Sequence, residues 1–381
     1  MSDSTADGHP AAPTLRERFL AFRDRLVSSP AFRDWAARFP LTRPLARRRA
    51  RQLFDLNAGF VYSQILSACV RLDLFETLRA GPRTPAQLAP ALSLSQAATL
   101  RLLEAAAALG LTAARGGGRY GLGELGAAMV DNPGVAAMVR HHALFYADLA
   151  DPVALLRKER GGNNLTAYWA YTANPEAAAL PGESVGDYSE LMAATQPMIA
   201  EEVLSAYDIR RHRCLMDVGG GEGVFLSAAA ARAPRLRLML FDLPAVAERA
   251  AARFAANGLA ERARCVGGSF HTDELPKGAD IVSLIRVAHD HDDDAVLALL
   301  GRVRAALPAD GTLLLGEPMS GTPGAEPIGE AYFGFYLLAM GRGRPRTLAE
   351  NAALLRAAGF TRVEHRRTRT PMLAAVLVAR P

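Results

Sequence analysis

Beyond residue 210, five short apolar runs, "CLMDV", "RLMLFD", "ARCVGG", "DIVSLIRV" and "GTLLLGE", alternate with helix-patterned segments such as 245–256 and 293–307. Nothing else in the chain constrains the fold as tightly. Strands apolar along their whole length must be covered on both faces, and alternation with helices gives a parallel sheet, an α/β doubly wound fold. The last two runs, "RVEHRRT" and "MLAAVLVAR", have no helix between them. They read as a C-terminal antiparallel hairpin, a departure from the dinucleotide-binding plan.

In such a sheet, ligands bind at the carboxyl ends of the strands, so "LMDVGGGEGVFL", 215–226, should line a site. A pyrophosphate cradle wants G-x-G-x-x-G; here Gly219 and Gly221 supply the first pair and Val224 occupies the third position. Asp217 and Glu222 would repel a pyrophosphate and attract a cation. Asp242 ends the second strand, where a carboxylate accepts bonds from ribose hydroxyls. A nucleoside carrying positive charge and no phosphate describes S-adenosylmethionine. The simpler alternative is that the glycines only make a tight turn and Asp217 caps the helix.

The first half of the chain has another grammar. Residues 53–110 are alanine-rich and helical in pattern, and the stretch from "RTPAQL" to "GGGRYGLGELG" reads as short helix, turn, longer helix and a wing around Gly116–Gly118. A winged helix by itself suggests a DNA-binding regulator. Its reading helix should then expose Arg, Asn or Gln, whereas 94–108 offers mostly alanine and leucine with Arg101 almost alone. That face suits a protein partner, a second subunit, and argues against nucleic acid. Helix is expected to continue to about 205, with a break at "ERGGNNL". The expected organisation is a basic extension over 1–50, a helical winged-helix-like domain over 51–205 and the α/β domain over 206–381.

Within the extension, Leu15, Phe19, Phe22 and Leu26 recur at helical spacing among Arg16, Arg18, Arg23 and Arg25. Such a stripe either lies in a membrane surface or packs on the rest of its own domain. No uninterrupted apolar run reaches the roughly 18 residues of a membrane span, and the N-terminus lacks the basic start and apolar core of a secretory signal. Cys69, Cys214 and Cys265 match no disulfide framework and no metal-ligand spacing. These features fit a cytoplasmic protein with peripheral membrane contact and no metal site.

His289, in "LIRVAHDHDDDAVLALL", falls just past the fourth strand, where catalytic side chains belong; most of the aspartates after it should be solvated or cap the following helix. The ordered set "DVGGGEG", "FDLP", "GGSF", "IRVAHDHDD", "LLLGEP" and "RTLAENAALLRAAGF" resembles the S-adenosylmethionine-dependent O-methyltransferases of the plant caffeate and bacterial polyketide type, over residues 50–381. The resemblance implies a class I methyltransferase fold, a helical N-terminal dimerisation domain and a homodimer. It implies His289 as general base, Glu317 as the carboxylate that orients it, and Gly219, Asp242, Ser269, Phe270 and Arg286 at the cofactor. Two positions depart from the pattern. His291 stands where a tryptophan would flank the adenine, and Pro345 replaces a second carboxylate.

The same motifs leave the acceptor open. Three further stretches, "RFPLTRPLARRRARQLFDLNAGFVYSQILSACVRLDLF", "NPGVAAMVRHHALFYADLADPVALLR" and "YWAY", resemble the branch of that family that methylates the tertiary C1 hydroxyl of acyclic carotenoids. A hydrophobic acceptor would suit "EAYFGFYLLAM", which sets Tyr332, Phe333, Phe335, Tyr336 and Met340 on a helix, with Tyr146, Tyr168, Trp169, Met192 and Met198 as further walls. Such residues also serve as ordinary core. A phenol or polyketide acceptor is the alternative.

Overall fold

The computed structural model describes residues 13–158, 162–169 and 182–381, with backbone alone at 182–190 and 193. The start of the expected break at 159–165, and 170–171 at the end of the "YWAY" stretch, lie outside the described residues.

Among the described residues, nine strands form two sheets. β1 (Thr112–Arg115) and β2 (Arg119–Leu122) make the expected hairpin around Gly116–Gly118. β3 (Cys214–Val218), β4 (Arg237–Asp242), β5 (Ala263–Gly267), β6 (Ile281–Ile285), β7 (Thr312–Glu317), β8 (Arg362–Arg366) and β9 (Ala375–Arg380) join in the order β5-β4-β3-β6-β7-β9-β8. The first five are parallel, and β9 pairs antiparallel with both β7 and β8. Every residue of β3, β6 and β7 is buried, because helices cover both faces of the sheet. One core lies on the side of Met216, Val282, Leu313 and the Asp293–Ala306 helix; the other gathers Leu215, Ile281 and Leu314 with Phe225 and Ala250. Strand order reverses between β3 and β6, which makes the carboxyl ends of these strands the place for a ligand.

A separate cluster, Val70, Leu74, Phe75, Leu88 and Leu103, closes the helices preceding residue 140. A fourth joins the two halves: Phe145, Leu155, Leu165 and Trp169 pack on Tyr336, Leu337 and Met340. Tyr336 and Met340 therefore serve as core, and the segment holding them is π-helical over Pro327–Phe333 before turning α-helical over Gly334–Met340.

The fold adds two facts about the N-terminus. Of the stripe, Leu15, Phe19 and Phe22 are 83%, 66% and 56% exposed, while Leu26 is half-buried. The Arg43–Arg71 helix contains an 18-residue window with mean hydropathy 1.2, of which 17% is buried, so one helix has the length and composition of a membrane span. Asp55, Asn57 and Gln64 interrupt its apolar letters, which hides it from a search for an unbroken run.

Candidate active site

Four strand ends converge on one cleft with a cavity of about 60 Å³. β3 delivers Gly219 and Gly221, β4 delivers Asp242, and β5 is followed by Gly268, Ser269, Phe270 and His271. β6 is followed by Arg286, Val287, Asp290 and His291. Gly219 adopts φ +69°, and a Cβ there would stand 2.9 Å from the Val287 side chain. The loop can approach β6 this closely only without a side chain.

Asp242 is fixed by its own turn: Oδ2 accepts from the Gly221 N–H at 2.7 Å and Oδ1 from the Leu243 N–H at 2.7 Å. A carboxylate has further lone pairs, so it can still accept from a ligand hydroxyl. Burial raises its pKa to about 6, against the two backbone hydrogen bonds. Asp217 does not line the cleft. It sits beneath the glycine loop, where a Cβ on Gly220 would lie 2.6 Å from Oδ2. Its Oδ1 accepts from the Ser283 hydroxyl at 2.6 Å while Oδ2 is buried without a partner, and burial raises its pKa to about 7. Glu222 is neutralised by Arg253 at 2.7 Å and Arg249 at 3.5 Å, so its charge contributes little toward excluding a pyrophosphate.

Arg286 ends β6 in a left-handed conformation, φ +59°, which costs a non-glycine residue on the order of 1–3 kcal/mol. Its N–H donates to Gly316 O at 2.9 Å, and its guanidinium reaches Thr195 at 2.8 Å. This turn leads into the short helix Ala288–Asp290. Glu317, at the end of β7 and 1% exposed, organises it. Oε1 accepts from the Val287 and Ala288 N–H groups at 3.0 and 2.7 Å, and Oε2 is hydrogen-bonded to His289 Nδ1. From the other side Arg346, itself buried, donates to Ala288 O and His291 O at 2.8 and 2.6 Å. The structure thus brings His289 and Glu317 together as the resemblance implies.

Asp290 departs from the solvated or capping role expected of most of these aspartates: it is 4% exposed, with Oδ1 3.1 Å from His289 Nε2. Burial disfavours a charged His289, but the Asp290 and Glu317 carboxylates outweigh it and raise the histidine above its ordinary value. Burial in turn raises Asp290 to about 6. His289 and Asp290 titrate as a coupled pair. His291, at the tryptophan position, forms an edge-on cluster with Phe270 and His271, with ring centroids 5.3 and 5.0 Å away. Burial drives its pKa down to about 3, so this wall of the cleft stays neutral.

These residues fit S-adenosylmethionine. A glycine loop without side chains, a carboxylate at the second strand end and a neutral aromatic wall suit a nucleoside, and none of them supplies the cationic cradle a phosphate needs. Sequence reasoning missed Asp290 and His271, whose letters carry no mark of burial. It also missed Arg346 and Ser283, which act through backbone carbonyls and a carboxylate that only the fold brings near.

Comparison with known proteins agrees. Residues 146–361 match the O-methyltransferase domain family, and residues 54–132 match the O-methyltransferase dimerisation domain. The chain is 44% identical to demethylspheroidene O-methyltransferase of Cereibacter sphaeroides, over 93% of each chain. It is 38% identical to the Rhodobacter capsulatus protein of the same name, over 98% of this chain and 92% of that one. Human N-acetylserotonin methyltransferase in complex with S-adenosylmethionine superposes with a TM-score of 0.71 at 25% identity, covering 87% of this chain and 97% of that one. Mitomycin 7-O-methyltransferase superposes at 0.72 with 26% identity, covering 89% and 100%. The dimerisation-domain match supports a homodimer. The chain belongs to the S-adenosylmethionine-dependent O-methyltransferases, with a class I methyltransferase domain and an N-terminal dimerisation domain.

Proposed function

We propose that this enzyme methylates the tertiary C1 hydroxyl of an acyclic hydroxylated carotenoid, with His289 as general base. The observation that carries the reading is the wall leading away from His289. The Phe333 ring lies 5.8 Å from the His289 ring, and Tyr332 stands next at 5.1 Å. Behind them the polar atoms are spent on one another. Tyr336 OH pairs with His141 Nε2 at 2.7 Å and accepts from Trp169 at 3.0 Å, while Tyr332 OH pairs with His142 Nε2 at 2.8 Å. Burial holds both imidazoles neutral, His141 down to about 4. What remains for a ligand is ring faces, which suits a hydrocarbon better than a polar phenol. The two relatives named for demethylspheroidene support the same choice.

S-adenosylmethionine, when bound, supplies a methyl group on a cationic sulfur. The protein supplies position and a place for the proton. Glu317 holds Nδ1–H, which leaves Nε2 as the acceptor facing the site. An alkanol is a weak acid, so a base of raised pKa is well matched to its proton. Asp290 Oδ1, 3.1 Å from Nε2, lies beside the position the hydroxyl must reach. The cysteines, all free where the structure describes them, are compatible with a cytoplasmic setting.

The test is an acceptor panel. Purified protein with methyl-labelled cofactor is offered a C1-hydroxylated acyclic carotenoid in detergent beside simple and polyketide phenols. Label in the carotenoid alone supports the proposal; label confined to phenols contradicts it.

A further inference from the structure

Among described residues 13–60, which cover the helices Leu15–Ser28 and Pro30–Arg38 and the first half of Arg43–Arg71, only Ala36 is buried. These helices pack on one another and leave most of their side chains exposed. The dimerisation match begins at residue 54 and leaves 13–53 unassigned. Phe19, Phe22, Trp35, Leu41 and Leu45 are 66%, 56%, 50%, 83% and 51% exposed there. Trp35 and Phe39 stack at 5.1 Å, presenting an aromatic pair to solvent.

Charge selects the partner. Between 13 and 53 the chain carries eleven arginines, from Arg16 to Arg51, against Glu17, Asp24 and Asp34. The whole chain is only +5, so everything outside this segment is net acidic by a small margin. Packing of the segment on its own twin across a two-fold axis would set arginine against arginine. An anionic bilayer meets both features: its headgroups neutralise the guanidinium groups, and its interface takes Phe, Leu and Trp side chains. We propose that residues 15–51 form an interfacial anchor that docks the enzyme on an anionic lipid surface without spanning it. The proposal rests on residues outside the active site and holds whatever the acceptor is.

The experiment uses the full chain with vesicles of phosphatidylcholine, alone or mixed with phosphatidylglycerol. Sedimentation is expected with the mixed vesicles only, weakening as salt rises. Trp35 emission should shift to the blue on binding, and Trp35→Phe should remove the shift; Trp169, at 3% exposure, is the internal control. Replacing Arg47, Arg48, Arg49 and Arg51 together by glutamine should lower vesicle partitioning by roughly 10²–10³-fold, while S-adenosylhomocysteine binding by calorimetry stays normal. Should that variant fail to fold, the emission shift of the native chain still decides. Absence of sedimentation with anionic vesicles overturns the proposal. So does a quadruple variant that binds vesicles as before, or one that changes only the oligomeric state in light scattering, which would assign the segment to a second subunit.

Discussion

His289 sits between two carboxylates, Glu317 at Nδ1 and Asp290 at Nε2, and this sets its pH behaviour. Only the neutral ring can accept a proton, and both neighbours favour the charged one. The rate should therefore fall as pH drops through an apparent pKa above the ordinary histidine value, read as the acid limb of kcat/KM; a limb at or below that value would contradict the coupling. Glu317→Gln tests the tautomer. Its amide would keep the carbonyl for the Val287 and Ala288 N–H groups but present N–H to Nδ1, forcing the proton onto Nε2 and removing the base. A loss of roughly 10²–10⁴ in kcat with little change in cofactor affinity is expected. Asp242→Ala should weaken S-adenosylmethionine and S-adenosylhomocysteine in step, by about 1.5–3 kcal/mol for a charge-assisted bond to a shared ribose. Isothermal titration separates this from a sulfonium contact, which would weaken the charged ligand alone.

At the scale of elements, the glycine loop and the turn after β6 depend on each other. Gly219 is left-handed and faces Val287, so Gly219→Ala adds both strain and a clash. It should raise the dissociation constant for S-adenosylhomocysteine roughly tenfold or more, with the melting temperature falling only modestly; unchanged affinity would mean the loop is not seated against β6 in solution. The strands were legible because double-sided burial leaves unbroken apolar letters: "CLMDV" and "DIVSLIRV" become β3 and β6 almost to the residue. The sequence placed Glu317 and His289 through their motif context. It could not place Asp290, because an aspartate at a helix start reads the same whether it caps or is buried against a histidine. Asp217 was misread for a related reason: the alternation that puts it at the strand end does not say that its side chain turns beneath the loop.

The whole molecule joins two functions through one packed seam. The Pro133–Asp148 helix contributes Phe145, His141 and His142 to the aromatic cluster that Tyr332 and Tyr336 complete, and Phe333 joins that cluster to His289. The sequence set Tyr168 and Trp169 beside the 330–340 segment, but not His141 and His142, since residues nearly 200 positions apart do not show which faces meet. The exposed N-terminal segment was half legible: its stripe and arginines could be read, but only the fold shows that Leu15, Phe19 and Phe22 stay exposed among the described residues. The central claim is that His289 takes the proton from a carotenoid hydroxyl during methyl transfer. Its most direct test is mass spectrometry of the products from a C1-hydroxylated acyclic carotenoid and methyl-labelled cofactor, run in parallel with native enzyme and with His289→Ala shown by calorimetry to bind S-adenosylhomocysteine. The account predicts a labelled C1 methyl ether from the native enzyme and a rate lower by roughly 10²–10⁴ from the variant. A variant that binds the cofactor product and makes the same ether at the native rate would contradict it.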